Sequence, residues 1–160
     1  MLLGGNLGDR VLNIEKAKQL IEERAGLIIR ESALYETEPW GTTESPFFLN
    51  CTILIKTLLE PDDLLNVLLQ IEMELGRIRT GKINGSRTMD IDILLYGQRV
   101  LDSEYLQIPH PRMHLRKFVL IPLNSIASDF VHPVSGRSIG QLLGSCSDDL
   151  LVNEYEPVLL

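Results

Sequence analysis

The sequence predicts an α+β fold: a ferredoxin-like β-α-β-β-α-β sandwich with an antiparallel sheet, helices on one of its faces, and a C-terminal extension. Two observations lead there. Two stretches with apolar residues at helical spacing alternate with runs of β-branched and aromatic residues, and each helical stretch has its own start and stop signals. No internal repeat, low-complexity tract or linker divides the chain, so residues 1–160 read as a single domain.

Taken in order, Leu2 and Leu3 look like the end of a short first strand, followed by a flexible loop with Gly4, Gly5 and Gly8. Asp9 is a good N-cap for a helix over residues 10–25, where Val11, Ile14, Ala17, Ile21 and Ala25 share one face and Gly26 ends it. Residues 27–36 have strand composition, and 37–46 (TEPWGTTESP) read as a loop. A second strand over 47–57 is expected to pair with its predecessor across that loop. Pro61 then occupies the favoured first position of a helix, with Asp62 and Asp63 in its first turn. Leu64, Leu68, Ile71 and Leu75 make its buried stripe, and Gly76 closes it. Residues 77–86 form a basic, glycine-containing loop leading into a strand, and 96–100 look like a small hairpin. Pro109 and Pro111 break the chain around His110, ahead of a third helix containing Phe118, Val119 and Leu123. Beyond Pro133 the readable element is a short helix over 139–143.

A composition of 44% hydrophobic and 23% charged residues is that of a globular chain rather than a disordered one. No apolar run approaches the ~20 residues of a membrane span, and Met1-Leu2-Leu3 runs straight into Gly4-Gly5-Asn6, which predicts no leader peptide. Cys51 and Cys146 stand apart with no CxxC pair and read as reduced structural thiols of a cytoplasmic protein. A net charge of −7 argues against general nucleic-acid binding. Yet residues 77–117 hold eight basic side chains against four acidic ones, and the rest of the chain holds seven against eighteen. A local positive region in an acidic chain suits a small anion; a solvated charged face is the plainer alternative.

The most informative stretch is GSRTMDIDILL, residues 85–95. On a strand, Asp90 and Asp92 point one way while Met89, Ile91 and Ile93 point the other. Two carboxylates on one face of so apolar a run repel each other and lose hydration unless a cation joins them. Hard oxygen donors without imidazole or thiolate nearby suggest Mg²⁺, in more than one ion. Arg87 adds the opposite charge that a polyphosphate would need. Phosphate chemistry follows.

Taken together, GGNLGDR (4–10), YETEPWG (35–41), FFLN (47–50), LGRIR (75–79), GSRTMDIDILLYG (85–97) and IPHPRMHLRKFVLIPL (108–123) resemble, in order and spacing, the 6-hydroxymethyl-7,8-dihydropterin pyrophosphokinases of folate biosynthesis. The resemblance spans roughly residues 2–133. It implies transfer of pyrophosphate from ATP to the pterin hydroxymethyl group with release of AMP, in a cytoplasmic monomer with two Mg²⁺ ions and no nucleic-acid or membrane partner. Asp90 and Asp92 would hold the metal, and Arg77 and Arg87 would clamp phosphate as catalytic groups. Glu72, Arg79, Arg87, Ile93, His110 and Arg116 match ATP-contacting positions. Thr37, Pro39, Trp40, Gly41, Phe48, Asn50 and Phe118 match the pterin side, with Phe48 and Phe118 stacking on the ring and Asn50 reading its amide-like edge. Phe48 and Phe118 as plain core residues, and Asn50 as a strand-end cap, are the alternatives.

Three positions depart from the family pattern. Gly5 stands where serine is frequent, which loosens that turn. Lys82-Ile83-Asn84 lacks a nearby tryptophan, and Ser86 replaces a proline. The loops 37–46 and 79–86 have the composition of mobile covers, with Trp40 as a fluorescent reporter. A ligand-sensing ferredoxin-like domain and an RNA-binding module of similar topology are the competing classes. Neither explains Arg87, Asp90 and Asp92 occurring together, and an RNA module would interleave more aromatic and basic residues.

Overall fold

A computed structural model describes residues 1–39, 45–77 and 86–156. Strand β1 (Leu2–Gly5) leads to helix α1 (Arg10–Arg24), β2 (Leu27–Glu31), β3 (Tyr35–Thr37), β4 (Phe48–Lys56), helix α2 (Pro61–Glu74) and β5 (Asp90–Asp92). A two-stranded ribbon of β6 (Leu101–Asp102) and β7 (Gln107–Ile108) follows, then helices α3 (Lys117–Ala127) and α4 (Ile139–Gly144), and finally β8 (Val152–Glu154). The Asp9 side chain accepts from the Leu12 amide at the start of α1, as its N-cap role requires.

The main sheet runs β5-β1-β4-β3-β8, with β2 also paired to β4, and every pairing is antiparallel. Its register sorts the side chains. Leu3 lies opposite Cys51 and Ile91, and all three are buried with Ile14, Ala17, Ile21, Leu64, Leu68 and Ile71 of α1 and α2. One residue on, Gly4 lies between Asn50 and Asp90; one residue back, Leu2 lies between Thr52 and Asp92. Those positions face the other way. There Leu2 packs in a second cluster with Met113, Val119, Leu120, Leu123, Ile139 and Leu142.

Helices therefore cover both faces, not one. The reason is that Leu2 and Leu3 are both buried, at 5% and 0% exposure, on opposite sides of β1, and each needs its own apolar partner layer. Other sequence expectations shift as well. The strand expected over 27–36 divides into β2 and β3, because Ser32 breaks the ladder and trades hydrogen bonds with Thr52 instead. Residues 96–100 make a turn, Arg99 N–H to Tyr96 O at 3.0 Å, and the hairpin strands lie just beyond it. The strand through the two aspartates is regular only over Asp90–Asp92. The tail adds β8 to the edge of β3, a strand the sequence did not announce.

Gly5 does not loosen a turn. It lies within β1, and a Cβ there would stand 2.3 Å from the Thr88 carbonyl oxygen, so the missing side chain lets the segment before β5 close against β1.

Candidate active site

Where β1, β4 and β5 meet on the α3 side, the sheet borders a cleft of about 330 Å³. β5 contributes Asp90 and Asp92, β4 contributes Phe48 and Asn50, and Thr37 comes from the end of β3. Arg77 follows α2, Arg87 precedes β5, and His110, Arg112, Arg116 and Phe118 come from the segment entering α3.

Asp90 is gripped on both oxygens. Arg77 Nη1 approaches Oδ1 at 2.5 Å, and Arg87 Nη1 bonds Oδ2. Arg77 also reaches Glu72 Oε1 at 2.5 Å, which in turn accepts the Ile91 amide at 2.8 Å. Ile91 pairs with Leu3, and its N–H points out of the open edge of the sheet, where the 2%-exposed Glu72 satisfies it. Burial pushes the Glu72 carboxyl up, against the downward pull of that amide bond and of Arg77. Asp92 is pushed up to about 7, first by burial and then by Asp90 and Glu72. Its proton affinity marks a place where positive charge is wanted.

The donor set fits a hard divalent cation. Among the described residues no three of His, Cys, Asp and Glu converge as metal ligands. A metal on Asp90 and Asp92 would draw its other ligands from water and phosphate, which is the habit of Mg²⁺. Among the described residues, the buried Arg87 Nε has no hydrogen-bond partner, a donor suited to an anionic oxygen.

On the other side of the cleft, Asn50 is 3% exposed and donates from Nδ2 to Thr37 Oγ1 at 2.8 Å. It is the third residue of β4, so it does not cap a strand end. Its Oδ1 lies 2.3 Å from where a Cβ on Gly4 would stand, so only glycine leaves it room. Phe48 and Phe118 line the cleft half-buried, and Phe118 also packs against the second apolar cluster. Each carries a guanidinium, Arg87 at 5.6 Å from the Phe48 centroid and Arg116 at 5.5 Å from that of Phe118. His110 Nδ1 accepts the Arg112 amide at 3.2 Å, which leaves the proton of the neutral ring on Nε2. Burial, Arg116 and Arg112 all lower its pKa.

Most of the expected site residues thus meet around one cleft. Ile93 and Glu72 do not line it: Ile93 is buried in the α1–α2 cluster, and Glu72 works from behind Arg77. Pro39 is buried beside the lining residue Glu38. Trp40, Gly41, Arg79 and Lys82, and with them most of the expected mobile covers, lie outside the described residues. Arg112 lines the cleft without having been singled out, and Glu38 lines it from within the YETEPWG motif. Arg112 was visible only as one charge of the basic region.

Residues 1–128 match the model of the 7,8-dihydro-6-hydroxymethylpterin-pyrophosphokinase family. The chain belongs to this family. It is 38% identical over 151 residues to the 2-amino-4-hydroxy-6-hydroxymethyldihydropteridine pyrophosphokinase of Haemophilus influenzae, covering 94% of this chain and 93% of that one. It is 40% identical over 157 residues to the folic acid synthesis protein fol1 of Pneumocystis carinii, covering 98% of this chain but only 20% of the longer relative. In structure it is similar to the Plasmodium falciparum HPPK-DHPS protein with pterin and p-hydroxybenzoate, at a TM-score of 0.70 and 20% identity, over 89% of this chain and 41% of the other. At that identity the likeness concerns the fold.

Proposed function

We propose that the protein transfers the pyrophosphoryl group of ATP to the hydroxymethyl oxygen of 6-hydroxymethyl-7,8-dihydropterin, giving AMP and the pterin diphosphate, as a step of folate biosynthesis. One observation carries this reading: the paired aspartates, the arginines around them and a pocket with two aromatic rings and a carboxamide border a single cleft. A polyphosphate and a flat heterocycle could lie there side by side. The strand order β5-β1-β4-β2 supports the ferredoxin-like assignment within one domain over 1–160.

In this reading Asp90 and Asp92 hold Mg²⁺, two ions in all. When bound, Mg²⁺ neutralises phosphate oxygens and orients the attacking hydroxyl. Arg77 and Arg87, now shared with Asp90, are the catalytic clamps: their forked donors suit the equatorial oxygens of the transferring group. Glu72 keeps Arg77 in place. His110, through Nε2–H, and Arg116 serve the nucleotide, with Arg79 and the Ile93 backbone. Phe48 and Phe118 sandwich the pterin, and Asn50, oriented by Thr37, reads its edge; Pro39, Trp40 and Gly41 complete that side. Positioning and charge supply most of the rate.

The protein is further read as a cytoplasmic monomer acting on small molecules. Among the described residues no helix is long and apolar enough to cross a membrane. Incubation with ATP, Mg²⁺ and the hydroxymethylpterin, followed by nucleotide chromatography, tests the reaction. AMP as product supports it, and ADP or unchanged ATP rejects it.

A further inference from the structure

Asn6 follows β1 directly and is 3% exposed, yet it does not line the cleft. Among the described residues, its carboxamide bonds to segments that border the cleft. Oδ1 accepts the Arg87 amide at 2.8 Å, while Nδ2 donates to the Pro46 carbonyl at 3.1 Å and to Ser86 Oγ at 3.2 Å. The main chain adds a second grip, since the Asn6 and Leu7 amides both donate to the Arg87 carbonyl, at 3.0 and 3.3 Å. Arg87 is thereby fixed on both sides of its own peptide frame, just where its side chain turns to Asp90. Pro46 is two residues ahead of Phe48, at the start of the strand that carries Phe48 and Asn50.

The carboxamide is planar and rigid. A displacement of Pro46 therefore turns the same group that sets the height of Arg87, and the reverse holds too. The close approach that Gly5 permits to the Thr88 carbonyl leaves little slack on this side. We propose that Asn6 is a positioning residue that couples the heterocycle side of the cleft to its phosphate side, so that occupation of one side by ligand prepares the other. The proposal rests on the pyrophosphokinase reading for the identity of the two ligands.

The coupling is measurable as linkage. Affinity for 6-hydroxymethyl-7,8-dihydropterin is determined by calorimetry with and without a magnesium complex of an ATP analogue carrying a methylene bridge between the α and β phosphates. In the unaltered protein the analogue is expected to tighten pterin binding by about tenfold, inside the usual range of coupling between two sites. Asn6→Ala, which removes every side-chain bond, should reduce this factor to about twofold or less. Asn6→Asp is nearly isosteric and keeps the acceptor for the Arg87 amide but not the donor to Pro46. It should lose the coupling too, and it decides the matter if Asn6→Ala does not fold. A merely structural role would lower the melting temperature and both affinities while leaving their ratio unchanged, and that result overturns the proposal. So does an unaltered protein that releases AMP but shows no coupling. If the unaltered protein releases no AMP and binds neither ligand, the pyrophosphokinase reading falls, and this proposal with it.

Discussion

The two faces of the sheet at β1, β4 and β5 are built from the same short strands and do opposite work. On the α1–α2 side, Leu3, Leu49, Cys51, Ile53 and Ile91 are each at most 4% exposed and almost purely apolar. On the α3 side, the intervening positions hold Gly4, Phe48, Asn50, Asp90 and Asp92, which border a charged cleft. A one-residue step along any of these strands crosses from core to site. The site therefore rests on a well-packed floor with few adaptable parts, and its geometry is inherited from the packing beneath it. Damage to one face should separate cleanly from damage to the other.

The largest expected effect tests the charged face. Asp90→Ala or Asp92→Ala should cut AMP formation by roughly a thousandfold, the scale of losing a preorganised electrostatic partner. Thermal unfolding of Asp92→Ala should change little, because that substitution removes a repulsive neighbour of Asp90. Asp90→Ala also takes the shared partner from Arg77 and Arg87 and should lower the melting temperature modestly. A variant with wild-type rates would remove Asp90 and Asp92 from the chemistry, and a large fall in melting temperature would break the separation of faces.

Two positions on one strand sharpen the comparison. Asn50→Ala should weaken pterin binding by about 1–3 kcal/mol and ATP binding far less, since it leaves a polar ligand edge unpaired. Three residues away on the opposite face, Ile53→Ala should cost about 2–4 kcal/mol of stability through the cavity it leaves, with turnover per folded molecule nearly unchanged. Calorimetry of both ligands and denaturant unfolding of both variants would check the pair. Equal losses for pterin and ATP in Asn50→Ala would make Asn50 structural.

The smallest effect concerns acid. Burial, then Arg116 and Arg112, hold the His110 pKa below the ordinary 6.5. The unfolded chain then takes up a proton more readily than the folded one, so this contribution is complete above pH 6.5 and fades as the pH falls below it. His110→Gln should flatten the acid-side loss of stability slightly; an unchanged slope between pH 7 and 5 would count against a neutral, buried ring.

What the sequence made legible follows from how local its causes are. The helix over Arg10–Arg24 was readable because Asp9, the apolar spacing and Gly26 all lie within the segment itself. Asp90 and Asp92 were readable because strand alternation is a two-residue rule, and even a three-residue strand obeys it. The motifs of the family did the rest for Asn50, Phe48 and Phe118. Strand β8 was not readable, because Val152, Asn153 and Glu154 carry no strong strand signal and are ordered by β3, more than a hundred residues earlier. The second helical layer depended on where Leu2 points, which one side of a two-residue apolar run cannot reveal. Arg112 reaches the cleft through chain direction, and Asn6 bonds to groups far along the sequence. Spacing carries no trace of either.

The double grip of Arg77 and Arg87 on Asp90 has a further meaning. The protein supplies its own counter-ions to one of its two clustered carboxylates, and the other is eased by its raised affinity for a proton. Folding is thereby expected not to depend on divalent cations: a chelator should leave the melting temperature of the free protein unchanged. On the proposed reading, binding of nucleotide and metal would become an exchange of partners between groups already placed, with the guanidinium forks passing from carboxylate to phosphate.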